Sequence, residues 1–249
     1  MINIQRSPIA PASLQTTEIQ AYIQDAIAYL QEIELHTQNP TLPKPDKPKK
    51  PKNYRNSDLL EAFDKDFHAK CYLTEEKFIN SWVMDIEHFE GQTERPDLVF
   101  EWTNLFPASH QANILKPRNT PAGGYLNPCE DDVENEIFYV LSVDNKPCFE
   151  EKDSTNLKAV NTAKLLNRVH NGHDGDTEKS TATLRHNIQK RKMEVLEKII
   201  VWQGSPDGSQ EKIQAKHDLI GLLSRKSSFT MLLRSMSVVR LYVPKEFLD

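Results

Sequence analysis

Val83-Met84-Asp85-Ile86-Glu87-His88-Phe89 decides the fold: apolar and polar residues alternate through it, predicting a short strand in which an acidic side chain stands directly before a histidine. Working outward, Gly91 and Pro96 mark a loop, and the apolar-aromatic run at 98–102 predicts a second strand closed by Asn104. Residues 109–116 then suffice for about two helical turns, with Ser109 as the N-cap. Asn113 and Lys116 stand three apart and so share a helix face. The order is strand, loop, strand, helix, with a histidine on the first strand, one asparagine at the approach to the helix and another on it.

That order is the arrangement of an HNH, or ββα-metal, nuclease, and phosphodiester hydrolysis explains the residue types. The reaction needs a water deprotonated near neutral pH, where an unperturbed histidine titrates, which makes His88 the candidate general base. It also needs a cation to offset charge gathering on the phosphate and the leaving oxygen. Glu87 and Asn113 offer hard oxygen donors suited to magnesium or manganese, and Asp85 either steadies the base or joins the cation's surroundings. The Asn104 amide suits a loop tie, and Lys116 would face a phosphate. Taken singly each residue is ordinary: a Glu-His pair at a strand end is commonly a solvated pair, and an asparagine before a helix is commonly a cap. The ordered set is what points to a site.

The sequence also resembles the HNH nuclease subunit of Septu anti-phage systems (the PtuB type), a family that also occurs beside some retrons. The shared features are Ile4-Gln5-Arg6-Ser7-Pro8, Lys70-Cys71-Tyr72, Asp85-Ile86-Glu87-His88-Phe89, Glu101-Trp102-Thr103-Asn104-Leu105, Tyr125-Leu126-Asn127-Pro128 with Asp131-Asp132, and Leu165-Leu166-Asn167-Arg168. They cover most of residues 1 to about 195, and the Asp-x-Glu-His and Leu-Asn-Pro combination is fairly specific. The resemblance implies DNA hydrolysis dependent on Mg2+ or Mn2+, an ATPase partner of the ABC or SMC-like class that controls the nuclease, and a role in bacterial defence against phage. An RNA substrate such as tRNA is the alternative, because a ββα site grips backbone and these residues do not separate the two nucleic acids. A catalytically silent adaptor that keeps the HNH fold is the alternative from another class. Many members carry two Cys-x-x-Cys pairs for a structural zinc. This chain keeps Cys71 but has Leu73 and Thr74 where the next cysteine would fall, and Ser109 and Ala112 before Asn113. Cys71 and His110 cannot supply a four-ligand zinc site, so apolar packing is expected in place of the zinc.

Composition bounds these readings. The 249 residues are 38% hydrophobic and 27% charged, ordinary for a soluble protein with a substantial core. No window matches a membrane helix, and the N-terminus lacks a signal-peptide profile, so a cytoplasmic location and no membrane partner are expected. A net charge of -5 counts against strong autonomous binding to nucleic acid and suits a subunit that relies on local charge or a partner. Three scattered cysteines make no disulfide framework.

Along the chain, residues 14–36 carry a helical stripe of Ile19, Tyr22, Ile23, Ala26, Ile27, Leu30 and Ile33. Residues 39–53 alternate five prolines with five lysines and predict an extended, polyproline-like linker, either a spacer or a phosphate-contacting arm. Helical spacing returns at 57–68, and again at 155–169, 177–203, 213–223 and 229–239. Residues 137–143 and 146–149 predict a hairpin across Asp144-Asn145. Glu130-Asp131-Asp132 suggests a cap or solvated turn before a second metal cluster, and His170, His173 and Asp174 a plain exposed turn. Arg185, Lys190, Arg191 and Lys192 form a polar helix face that is solvated or grips a nucleic-acid backbone. The expected class is α+β, mainly helical with an HNH (ββα-metal) motif, in segments 1–38, 39–56, 57–170 and 171–249.

Overall fold

The stripe at Ile19, Tyr22, Ile23 and Ala26 is buried and generates the first helix. In the computed structural model, which describes residues 1–52, 54–141 and 146–249, this helix α1 spans Thr17–Gln38, its N-terminus capped by the Thr16 hydroxyl accepting from the Ile19 N–H. The stripe is half used: Ile27 and Leu35 lie exposed beyond it. Residues 39–52 form neither helix nor strand, as their proline density requires, and Asn53 at the end of that stretch lies outside the described residues. Helix α2, Ser57–Phe67, buries Leu59, Leu60, Phe63 and Phe67.

Strand β1, Asp85–His88, pairs antiparallel with β2, Leu105–Ala108, in the register Asp85 to Ala108 and His88 to Leu105. The second strand therefore follows Asn104 instead of ending at it, which corrects the sequence expectation. Residues 96–98 and 102–104 coil into 3-10 turns, the first beginning at Pro96. Val99, Phe100 and Trp102 are nonetheless buried, because the turns carry them under α1 and α2 where a strand would have placed alternate residues in solvent. Helix α3, His110–Leu115, follows at once, with the Ser109 hydroxyl accepting from the Ala112 N–H.

Asp132 caps helix α4, Val133–Glu136, and the Asp131 carboxylate accepts the Asn127 N–H, so the acidic run works as turn and cap. Strands β3, Ile137–Leu141, and β4, Pro147–Glu151, make a second antiparallel pair, and the expected Asp144-Asn145 turn lies outside the described residues. Helix α5, Leu157–Asn171, packs on β4 and reaches far enough to bury His170, which is therefore a core residue and not part of an exposed turn. The long helix expected at 177–203 breaks at Thr181 into α6, Gly175–Ser180, and α7, Ala182–Gly204. Arg185 holds that corner by donating to the Glu178 and His170 carbonyls, which takes it out of the proposed basic face. Helix α8, Gln210–Leu223, packs on α7, and the last predicted helix divides at Met236 into α9, Thr230–Ser235, and α10, Ser237–Tyr242. One buried cluster draws on Ile23, Phe63, Phe106, Leu166, Ile188 and Val239 alike, so the segments flanking the linker share a core. The class is α+β, mainly helical, with two small antiparallel sheets among the described residues. Among the described residues no helix is long and apolar enough to cross a membrane.

Candidate functional site

The loop between β1 and β2 is held by one amide. Asn104 Oδ1 accepts the Glu90 N–H at 2.7 Å, and its Nδ2 donates to the carbonyls of Leu98 at 3.0 Å and Glu90 at 3.3 Å. Behind it, the Arg6 guanidinium lies over the rings of Phe106, Trp102 and Phe67 at 4.3, 4.6 and 5.2 Å and donates to the Trp102 carbonyl. That contact gives the N-terminal Gln5-Arg6-Ser7 run its purpose: it clamps the turn that leads into β2. Arg168 of α5 donates to the Leu115 carbonyl at 2.6 Å, satisfying the last turn of α3, and its neighbour Asn167 pins β4 by accepting the Phe149 N–H and donating to the Phe149 carbonyl.

Strand alternation puts Asp85 and Glu87 on one face of the hairpin and His88 on the other. Helix α3 and the residue after it meet the first face, with His110, Asn113 and Lys116 three apart along one stripe. Asp85 Oδ2 accepts from Asn113 Nδ2 and from His110 Nδ1, each at 2.9 Å. These bonds draw the Asp85 carboxyl below its ordinary value against the opposing effect of partial burial. Deeper along the stripe, the Lys116 ammonium donates to Glu87 Oε1 at 2.6 Å and to the carbonyls of His88 and Phe89 at 2.7 and 2.8 Å. The Tyr72 hydroxyl donates to Glu87 Oε2 at 3.0 Å. Glu87 and Lys116 are 6% and 9% exposed. In this conformation Lys116 is an internal counter-charge, where a phosphate contact was expected, and both Glu87 oxygens are occupied, where an open metal ligand was expected. Burial pushes the Glu87 carboxyl above its ordinary value in spite of Lys116 and Tyr72.

His88 sits 5% exposed on the opposite face. Its Nε2 lies 3.0 Å from the Val99 carbonyl, an acceptor only, which fixes the Nε2–H tautomer. Nδ1 then carries the lone pair and accepts from the Gln92 amide at 2.9 Å. Gln92 in turn accepts from Lys50 of the linker at 2.7 Å, and Tyr54 closes the side of the imidazole with ring centroids 6.5 Å apart. Burial, reinforced by the Lys50 charge, pushes the His88 imidazole down to about 4 against the Val99 carbonyl's opposing effect.

Compared with protein-family models, curated proteins and solved structures, the chain matches none.

The structure thus gathers Asp85, Asn113 and His110 at one point, and Glu87 with Lys116 and Tyr72 at another, while Asn104 and His88 lie across the strand. Asp85 and Asn113, with Tyr54, Arg55 and Ile86, line an open cavity of about 400 Å³. A larger cavity of about 730 Å³ is lined by His68, Lys70, Asp131 and Arg225 among others, and of the residues just named it includes only Tyr72. Asp85 and Asn113 are oxygen donors suited to a hard divalent cation. Among the described residues there is no group of three or more His, Cys, Asp or Glu side chains placed to hold a metal. Cys71, Leu73 and Ala112 belong to the common buried cluster. Sequence reasoning did not place Gln92 at the site, and it named Lys50 only as a linker lysine, Tyr72 only in the shared Lys70-Cys71-Tyr72 run and His110 only as an insufficient zinc ligand. His110 was legible, since it precedes Asn113 by three on the same helix face; the other partners come from distant segments and left no local signal.

Proposed function

We propose that this chain is a metal-dependent HNH endonuclease, the catalytic effector of an anti-phage defence complex governed by an ATPase partner. The observation that carries the reading is the hairpin Asp85–His88 with Leu105–Ala108 running straight into helix His110–Leu115, which lays Asn113 on Asp85 while Asn104 ties the loop beside His88. In this mechanism His88 takes a proton from the attacking water at Nδ1, after Gln92 has moved aside, and the Val99 carbonyl keeps the opposite ring nitrogen protonated and orients the ring. Asp85 and Asn113, in a cavity whose wall includes Tyr54, the ring packed beside His88, would hold a magnesium or manganese ion, which when bound supplies positive charge to phosphate oxygens. Arg55, on the rim of the same cavity, adds a cation where a substrate backbone would lie. The substrate is DNA on the family resemblance, with RNA as the alternative.

A second reading, the non-catalytic adaptor, draws on the burial of Glu87 and His88 with every polar atom of both side chains already bonded. One experiment separates the two. Plasmid, single-stranded DNA and tRNA are incubated with the full chain in magnesium or manganese, with and without the ATPase partner, for wild type and His88→Ala. Loss of metal-dependent cutting by about 100- to 10,000-fold in the variant is expected for a general base. Undiminished cutting by His88→Ala overturns the mechanism, and absence of cutting under all conditions while the complex still assembles establishes the adaptor.

A further inference from the structure

Three observations meet at the Pro/Lys segment. First, the amide of Gln92 has an acceptor end and a donor end, and Lys50 holds the acceptor end at 2.7 Å, which aims the donor end at His88 Nδ1. The Lys50 ammonium also stands 5.0 Å from the Tyr54 ring and 6.0 Å from that of Phe100, beside the His88 imidazole. Second, Gln92 is exposed and Lys50 half-exposed, so both can leave without opening the core, whereas the imidazole beneath them is buried. Third, a polyproline-like segment repeats every three residues, which aligns Lys44, Lys47 and Lys50 along one edge, with Lys49 and Lys52 on a second. Lys44, Lys47, Lys49 and Lys52 are exposed, and the run concentrates positive charge on a chain whose net charge is -5.

We propose that residues 39–52 are a strap that keeps His88 covered, with Lys50 and Gln92 as its latch, and that a nucleic-acid phosphate backbone is the ligand that draws the strap away. The proposal deepens the nuclease reading and rests on His88 as its base. Phosphates that engage Lys44 and Lys47 lie along the same edge as Lys50 and compete with Gln92 for its ammonium. Once Lys50 leaves, nothing orients the Gln92 amide, and the lone pair of Nδ1 becomes available to solvent. Substrate capture and uncovering of the base are then one event, and a chain without nucleic acid stays closed.

The test uses the full chain in metal-free buffer, so no cutting enters either readout. Diethylpyrocarbonate modification of His88, followed by peptide mass spectrometry, reads access to the ring nitrogen. Lys50→Met keeps the aliphatic stem over Tyr54 and should raise the modification rate about tenfold, the scale set by one hydrogen bond to a charged group. Lys50→Arg keeps the donor and should stay near wild type. An unchanged rate in Lys50→Met, or an equal rise in Lys50→Arg, overturns the latch. Binding of a fluorescein-labelled oligothymidylate is measured in parallel against salt. Replacing Lys44, Lys47, Lys49 and Lys52 by glutamine should flatten the slope of log affinity against log salt by about 3, at roughly 0.7 per lost single-strand phosphate contact. An unchanged affinity and slope overturns the assignment of the backbone as ligand. If the nuclease reading fails, cutting is absent while both readouts stand; if the strap fails, cutting remains and the readouts do not move.

Discussion

Replacing Lys116 by methionine tests whether its ammonium is the internal counter-charge of Glu87. The side chain makes three bonds, to Glu87 and to the carbonyls of His88 and Phe89. With it gone, Glu87 remains enclosed beside Tyr72 and escapes the cost of a bare buried charge by taking up a proton. Against an ordinary carboxyl value of 4.5, holding the proton at about pH 7 costs about 3 kcal/mol at 1.4 per pH unit. Two carbonyls that lose their donor add about 1 kcal/mol each, for a total of about 5 kcal/mol. The sign of the pH dependence follows: protonation becomes easier as pH falls, so at about pH 5 the carboxyl's share drops below about 1 kcal/mol and the variant recovers toward wild type. Urea unfolding followed by tryptophan fluorescence at both pH values measures this, with Lys116→Met/Glu87→Gln as the control whose penalty should not vary with pH. A penalty under about 1 kcal/mol at about pH 7, or one that is flat with pH in the single variant, refutes the reasoning.

Three further outcomes are expected. His170 donates from Nδ1 to the Leu166 carbonyl, and burial pushes its imidazole from 6.5 down to about 4. The unfolded chain therefore binds the proton first as pH falls, and wild type should lose about 2 kcal/mol more than His170→Leu between about pH 7 and about pH 5 in denaturant titrations. Arg6→Met should destabilise by about 3 kcal/mol through the lost ring contacts and the orphaned Trp102 carbonyl, read as a lowered unfolding midpoint with unchanged helix content by circular dichroism. Asn104→Ala leaves the Glu90 and Leu98 backbone groups without their partner and should cost about 3 kcal/mol, with hydrogen exchange accelerated at the Glu90 amide.

The helices at 14–36 and 155–169 were legible from their apolar stripes and α3 from its Ser109 cap, while the caps at Thr16 and Asn156 emerged only in the fold. Alternation placed β1 correctly, but the run from Leu98 to Trp102 misled, since apolar residues in 3-10 turns and in a buried strand look alike without their partners. The break at Thr181 left no apolar signal because Arg185, one turn later, bonds carbonyls of α5 and α6. At the candidate site, residue types and order gave β1, the helix and the loop-tying amide of Asn104, but put the second strand before Asn104 when it follows. The states of Glu87 and His88 were not readable, because Tyr72 comes from before the hairpin and Lys50 from the linker. The helix stripe did relate Lys116 to Asn113, yet it gave no sign of whether the lysine would face water or the strand beneath.

Arg168 and Asn167, adjacent on α5, hold opposite things: one grips the end of α3, the other the middle of β4. A helix advances about 100° per residue, so both grips are met in only one rotational setting of α5. A single residue inserted between Asn156 and Asn167 would swing both side chains about a quarter-turn away and release both sheets' neighbours at once. Insertions that lengthen the 39–52 segment meet no such phase condition. Length variation across descendants of this sequence should accordingly accumulate in the lysine-rich stretch and be purged from α5, a pattern that library insertion scanning would expose without any knowledge of activity.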